Sequence, residues 1–328
     1  MTWTQGLYAV DGNPLPGSLW RLQLQSATRS AQGVVGAADL YVKATATPSN
    51  QVRASNGACV IAGGEAAWQG SYYGYNVGDD LVNIAATAGA ARSDLIVAKV
   101  EDPTVAGGGW SHSPLTDQIV YTRVISGVAA GTLLPPGGMS AIPLARVDVP
   151  ASTSAITQAM ITDLRSMLNA RRDRTLIAVN LTGGPYNLVN NATSFVTWPS
   201  PATFSVAVPA WAVTARIVAM WVQVQSIWVA GSTQGPLAVV QFKLGTVTSQ
   251  AMTLDSSATA NATSIYRDTG LCVDTLAIPL AMRGTTQTFV LQGRGAGPTG
   301  SGGASMWRMD GSSGYVVDIE WQEALQTQ

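Results

Sequence analysis

Charge is what this sequence most lacks. Asp, Glu, Lys and Arg make up 11% of its 328 residues, against about 25% in an ordinary globular domain. Charge keeps an isolated protein in solution and apart from its neighbours. A chain this poor in it is expected to hide much of its surface against other protein. What charge there is sums to −1, which excludes a field of one sign that would gather nucleic acid or an acidic membrane. Lysine is scarcest, appearing only at Lys43, Lys99 and Lys243. The planar, weakly hydrated guanidinium of Arg suits buried interfaces, where Lys is depleted. A GC-rich genome produces the same skew, and both readings stay open.

Other absences exclude whole classes of chemistry. Cys59 and Cys272 are too few and too far apart for a disulfide framework or a metal-ligand set, so buried, reduced thiols are expected. His112 is the only histidine, which rules out a histidine-clustered zinc site and leaves one candidate base for a Ser or Cys nucleophile. No nucleophile elbow, HExxH or P-loop is written in the chain. No cofactor or catalytic residue is expected. Long apolar runs are missing too. The most apolar stretch, residues 211–229, is broken by Arg216, Gln223 and Gln225, which excludes a membrane-spanning helix. Met1-Thr-Trp-Thr-Gln-Gly-Leu-Tyr has neither a basic nor an apolar leader region, so no secretory signal is expected and synthesis stays cytoplasmic. The Asn-x-Thr sequons at Asn180, Asn191 and Asn261 are therefore expected to stay unmodified.

What is present reads as β. Short Val, Ile, Thr, Phe and Trp runs alternate with Gly, Pro, Asn and Ser clusters, the pattern of sandwiches and barrels. Near the C-terminus Tyr315, Val317, Ile319 and Trp321 share one face, while Asp318, Glu320 and Gln322 take the other. Around Trp221 both faces are apolar. Arg216, Val218, Met220, Val222 and Val224 point one way, and Ala215, Ile217, Ala219 and Trp221 the other. Such a strand is covered on both sides, by two layers of its own domain or by a second subunit. Helices are predicted at Leu19-Trp-Arg-Leu-Gln-Leu-Gln-Ser-Ala-Thr-Arg and over residues 157–172, where Ile161, Leu164 and Leu168 have helical spacing.

The length suggests two domains. The charged run Arg171-Arg-Asp-Arg174 marks a solvated connector at residues 166–175. It separates a β-rich domain, 1–165, from an antiparallel, jelly-roll-like β-sandwich, 176–328. Two glycine loops stand out, Gly107-Gly-Gly-Trp-Ser-His-Ser-Pro and the stretch 293–303. Gly295-Ala-Gly297-Pro-Thr-Gly300 fits a dinucleotide fingerprint by letter, but no strand–helix unit surrounds it, so it is rejected.

Two further chemistries are weighed. Asp79-Asp80 and Glu101-Asp102 supply carboxylates for a glycoside hydrolase, provided that two face each other across a cleft. The ten tryptophans fill cores or stack on sugars. Trp110 and Trp307, beside the glycine loops, are the candidates for exposure and hence for glycan contact.

Several segments between residues 25 and 165 share a pattern. They are Ser26-Ala-Thr-Arg-Ser-Ala-Gln-Gly-Val-Val-Gly-Ala-Ala-Asp-Leu-Tyr-Val, Val52-Arg-Ala-Ser-Asn-Gly-Ala-Cys-Val-Ile-Ala-Gly with Gln69-Gly-Ser-Tyr, and Arg92-Ser-Asp-Leu-Ile-Val-Ala-Lys-Val-Glu-Asp. Ile142-Pro-Leu-Ala-Arg-Val-Asp-Val-Pro, Ile156 and Ile161-Thr-Asp-Leu-Arg165 follow in order. Together they resemble the minor tail or baseplate proteins of tailed bacteriophages that infect actinobacteria. Val208-Pro-Ala-Trp-Ala-Val-Thr-Ala-Arg extends the likeness loosely into the second half. The resemblance implies a non-enzymatic component of the distal tail in the virion, assembled in the host cytoplasm. The N-terminal part would dock to other tail or baseplate proteins and the C-terminal sandwich would face outward. Expected partners are further copies of the chain, a trimer, and possible host-surface glycan, without nucleic acid or membrane insertion. The alternatives are a carbohydrate-binding receptor module and a tail-associated polysaccharide hydrolase.

Overall fold

The structure is a computed structural model that describes residues 16–105, 110–113, 115–188, 194–230, 235–256, 263–296 and 305–325. The sequons at Asn191 and Asn261, much of both glycine loops and the end of the rejected fingerprint lie outside the described residues. The fold is mainly β with antiparallel sheets, as the turn-punctuated apolar runs lead one to expect. The chain divides into two compact units, Met1–Ala170 with Leu325–Gln328, and Arg171–Ala324.

The first unit begins with α1 (Gly17–Thr28), closed by Arg29 in the left-handed conformation, φ 53°. Its strands are β1 (Gly33–Val34), β2 (Val42–Ala44), β3 (Gln51–Ala54), β4 (Gly57–Ala62), β5 (Ser71–Asn76), β6 (Asp80–Asn83), β7 (Arg92–Val100), β8 (Val120–Val128), β9 (Ala141–Val149) and β10 (Ile161–Asp163). They form three sheets, ordered β1-β4-β5, β2-β3-β6 and β10-β9-β7-β8. Strand β7 is paired on both edges and nearly all buried, so its continuous Leu-Ile-Val-Ala run is that of a central strand. Val52, Ile61, Ile96, Leu144 and Val147 join one core drawn from all three sheets.

The helix expected over residues 157–172 is not formed. Only the single 3₁₀ turn Gln158–Met160 appears, followed by β10. Ile161, Thr162 and Asp163 pair instead with Val147, Arg146 and Ala145 of β9. The β-branched pair Ile161-Thr162 fits a pleated strand, and tertiary pairing overrides the helical spacing. Arg165, just beyond β10, has a wholly buried side chain. Its Nε and Nη2 donate to Asp163 at 2.9 and 2.8 Å, and its Nη1 donates to the carbonyls of Asp39 at 2.7 Å and Ala37 at 3.4 Å. The guanidinium also lies 4.8 Å from the Tyr41 ring centroid.

The second unit holds β11 (Arg172–Asn180), β12 (Tyr186–Leu188), β13 (Val196–Thr197), β14 (Thr203–Ala207), β15 (Thr214–Trp228), β16 (Leu237–Leu244), β17 (Val247–Thr248), β18 (Met252–Asp255), β19 (Ser264–Ala277), β20 (Thr286–Gly295), β21 (Met306–Met309) and β22 (Gly314–Gln322). One sheet runs β11-β22-β15-β21-β12, with β19 on the other edge of β15. The facing sheet runs β13-β20-β16-β17, with β14 on β20 and β18 on β16. Trp198, Trp221, Phe242, Phe289 and Trp321 fill the space between them, the interior of a β-sandwich.

The alternation of β22 is as written in the sequence. Tyr315, Val317, Ile319 and Trp321 are at most 4% exposed. In β15 the alternation holds to Trp221 and then reverses. Gln223 takes φ 56° and the register shifts between Trp221 and Val224. That β-bulge turns Val224 into the core, against the expectation that it shares the Arg216 face. The run at 171–174 is not a free connector either. Residues 172–174 open β11, where strand pairing sets their charges beside those of β22 and its end. Arg171, Arg172 and Arg174 pair with Glu323, Glu320 and Asp318 at 2.7, 3.4 and 2.6 Å.

Replacing Arg165 with Met is expected to destabilise the first unit by about 3–5 kcal/mol, because Asp163 and two carbonyls lose their donor. Amide hydrogen exchange checks this. Protection should fall across residues 92–100 and hold across residues 214–228.

Candidate functional site

Two places in the first unit gather polar and aromatic side chains. The first is built around Glu101, just past the end of β7. Its carboxylate is 2% exposed and receives Arg123 in a two-pronged pair, Nε and Nη2 both at 2.8 Å. His112 Nε2 lies 3.0 Å from Oε2, the oxygen that Arg123 Nη2 also reaches. The imidazole stands beside Tyr121, centroids 5.1 Å apart, and stacks with Trp110 at 6.3 Å. Lys99 Nζ covers the Trp110 face at 4.1 Å. Strand pairing explains the grouping, since Lys99 lies opposite Tyr121 and Val97 opposite Arg123.

Arg123 holds the Glu101 carboxyl below its ordinary value of 4.5, with His112 adding to the effect. Burial alone would raise its neighbour Asp102, but hydrogen bonds from Thr104 and Tyr72 outweigh it and lower the pKa. Asp102 accepts from the Tyr72 hydroxyl at 2.8 Å and from Thr104 at 2.8 and 2.6 Å, and Arg21 approaches to 3.4 Å. The two adjacent carboxylates thus serve separate networks. A glycosidase acid needs a raised pKa, and both are lowered. Asp79 is paired with Arg53 at 2.7 Å. Among the described residues, no group of three or more His, Cys, Asp or Glu could hold a metal ion. No described helix is long and apolar enough to cross a membrane. Both cysteines are buried, and burial pushes the Cys59 thiol up to about 12.

The two tryptophans singled out as glycan contacts fall in different units. Trp110 is half-buried beneath Lys99. Trp307 is 3% exposed and donates its indole N–H to the Pro236 carbonyl at 2.9 Å. The exposure expected of Trp307 from its neighbouring glycines is therefore wrong. Strand β21 turns Trp307 and Met309 inward and leaves Met306 and Arg308 half-buried.

The second place was missed in the sequence. A groove of about 630 Å³ runs between β5, the start of β6 and β8. Strands β5, β6 and β8 each form the edge of a sheet. Tyr73 and Tyr75 stand on the outward face of β5, 57% and 71% exposed, with ring centroids 6.1 Å apart. Gly74 between them permits the close approach of β8, since a Cβ there would meet Val120 Cγ1 at 2.8 Å. Asn76, Asp80, Gln118 and Tyr121 also line the groove. The signal was available in Ser71-Tyr-Tyr-Gly-Tyr, whose period of two puts two of three tyrosines on the wet face.

No family model and no curated protein matches this chain. Among solved structures it is similar to the Gx strain particle of infectious bursal disease virus, at 12% identity, over 90% of this chain and 74% of that one, with a TM-score of 0.27. The VP2 subviral particle of the same virus gives 13% identity, 95% and 83% coverage, and a TM-score of 0.27. Scores this far below those of a shared fold leave function to be argued from this chain's own residues.

Glu101 contributes stability that is complete above the unfolded carboxylate range and is lost as pH falls through its lowered folded value. The Glu101→Gln variant is expected to lose less melting temperature than the parent between about pH 5 and pH 2. Calorimetry at stepped pH checks it. Equal slopes would place the acid sensitivity on other carboxylates.

Proposed function

We propose that this chain is a non-enzymatic structural component of a phage virion tail, at the tip or baseplate. In this reading it assembles as a trimer and takes part in attachment to the host surface. The observation that carries it is the outward face of the sheet built on β15 in the second unit. Strand pairing aligns Ala178, Val316, Met220 and Leu271 in one row across four strands. The next row is Leu176, Asp318, Val218 and Val273, and the one after is Arg174, Glu320, Arg216 and Thr275. Leu176, Leu271 and Val273 are 60%, 46% and 39% exposed. An apolar row bordered by a row of alternating sign suits a second copy of the same face. Apolar side chains meet at the centre, and Arg of one copy meets Glu of the next. Three copies that turn this face to a common axis would cover the apolar side of β15 that their own sandwich leaves open.

The segments that resemble tail proteins support the same reading. They include β1, β4, β7 and β10, most of β3 and β9, and the buried Arg165, and they supply much of the core of the first unit. The likeness thus lies largely in residues that build the scaffold of the first unit.

Light scattering of the full chain is expected to give about three times 34.0 kDa. The double variant Leu271→Asp, Val273→Asp is expected to fall to one copy with its melting temperature held, because both side chains lie outside the core. A monomeric parent, or a variant that stays trimeric, overturns the role of this face. Antibody to the chain is expected to label the distal end of tails in electron micrographs of particles. Label confined to heads, or no label, overturns the tail assignment.

A further inference from the structure

We infer that the groove between β5 and β8 is a binding site for a neutral oligosaccharide. The inference deepens the attachment part of the proposed function by naming a ligand class and the residues that meet it. It is tested independently of self-association.

Two requirements of sugar recognition meet there. A pyranose presents a flat, weakly apolar C–H face and a rim of hydroxyls that donate and accept hydrogen bonds. Tyr73 and Tyr75 offer two open aromatic faces in succession, 57% and 71% exposed and 6.1 Å apart, a spacing comparable to one ring of an extended saccharide chain. A tyrosine ring tolerates the wet face of a strand because its tip is polar. Two successive rings above a groove of about 630 Å³ form a platform that a ligand with a flat C–H face can cover. Asn76, Asp80 and Gln118 supply amide and carboxylate groups for a hydroxyl rim.

Charge selects among sugars. Among the described residues that line the groove there is no Lys or Arg, while Asp80 lines it and the charge of Asp79 is met by Arg53 at 2.7 Å. A sialylated, sulfated or uronic saccharide would meet Asp80 and find no unpaired cation in the lining. A neutral hexose chain meets neither problem.

An extended peptide adding to a free strand edge is the competing occupant. The edge of β8 beside the groove is already partly occupied by its own side chains. Gln118 Nε2 donates to the Val120 carbonyl at 3.3 Å, and the Tyr121 hydroxyl donates to the Gln118 carbonyl at 2.7 Å. Side chains that bind the strand's own carbonyls blunt it as a template. The open groups here are ring faces.

The test uses the full chain and saturation-transfer NMR with linear tetra- to hexasaccharides of glucose, galactose, mannose and N-acetylglucosamine. Isothermal titration supplies affinities. At least one neutral series is expected to bind, with saturation on its C–H face. Tyr73→Ala and Tyr75→Ala are each expected to weaken binding about tenfold or more, and Tyr73→Phe much less. Both side chains lie outside the core, so circular dichroism and melting temperature should match the parent. Trp68→Ala is the control. Trp68 is 84% exposed and does not line the groove, so affinity should hold. The inference is overturned by binding that survives the Tyr73/Tyr75 double alanine variant, by loss on Trp68→Ala alone, or by no binding across the four series. Stronger binding of a Thr-Val repeat hexapeptide than of every saccharide overturns it in favour of strand addition. Saccharide binding by a chain that proves monomeric would sustain the groove and remove only the trimer.

Discussion

The wholly buried guanidinium of Arg165 is the contact on which the first unit depends. It follows β10 in the four-stranded sheet, and it reaches the carbonyls of Ala37 and Asp39 in the turn before β2. Asp39 in turn accepts from the backbone N–H groups of Gly36 and of Ala58 in β4. Arg165, through Asp39, thus links three sheets. Such a link succeeds only if the guanidinium is fully satisfied, because an ion out of water costs several kcal/mol. Asp163 accepts from Nε and Nη2, the two carbonyls accept from Nη1, and the Tyr41 ring lies 4.8 Å from the guanidinium centre.

Few charges in the chain do not mean few charges in the core. Asp94, Glu101 and Asp102 are all 3% exposed or less. Each has a cation within 3.4 Å, Arg92, Arg123 and Arg21 respectively. Asp94 also accepts from the Ser126 hydroxyl and the Gly127 N–H. Burial would push these carboxyls up, and their partners bring all three down. Part of the small stock of ionised groups therefore lies inside the first unit, within the β7–β8 pair and between α1 and the end of β7. The outward sheet face of the second unit keeps one wholly apolar row, Ala178, Val316, Met220 and Leu271, so low charge becomes a statement about placement as well as composition.

How much of this was legible in the sequence depended on whether a local pattern decided the outcome. The alternation of β22 and the helix at Gly17–Thr28 follow from residues near one another in the chain. Residues 157–172 carry helical spacing, yet Ile161 joins the core shared by three sheets and Leu164 a smaller cluster beside β7. Pairing with β9, more than ten residues away, decided their conformation. The bulge at Gln223 is likewise invisible to a period-two count, because one residue of positive φ reverses every side chain after it. The candidate site was hidden by a weighting of residue types. Tryptophan drew attention, but the large indoles of this chain are mostly core: Trp198, Trp221, Trp228, Trp307 and Trp321 are all at most 3% exposed. Tyrosine, with a polar tip, is the aromatic that tolerates the wet face of a strand.

The two surfaces left open differ in kind, and the difference follows from sheet geometry. A face in the middle of a wide sheet presents side chains only, since its backbone groups are spent on both neighbours. The row through Met220 is of this type, and what it presents is apolar. A groove at sheet edges presents side chains together with unspent carbonyls and N–H groups, so polar residues collect there to blunt it, as Gln118 and Tyr121 do on β8. The first kind of surface suits a large, dry, permanent contact with like protein. The second suits a small ligand rich in hydroxyls, exchanged against water. The same scarcity of charge serves both, because neither apolar burial nor neutral sugar recognition gains from an unpaired ion.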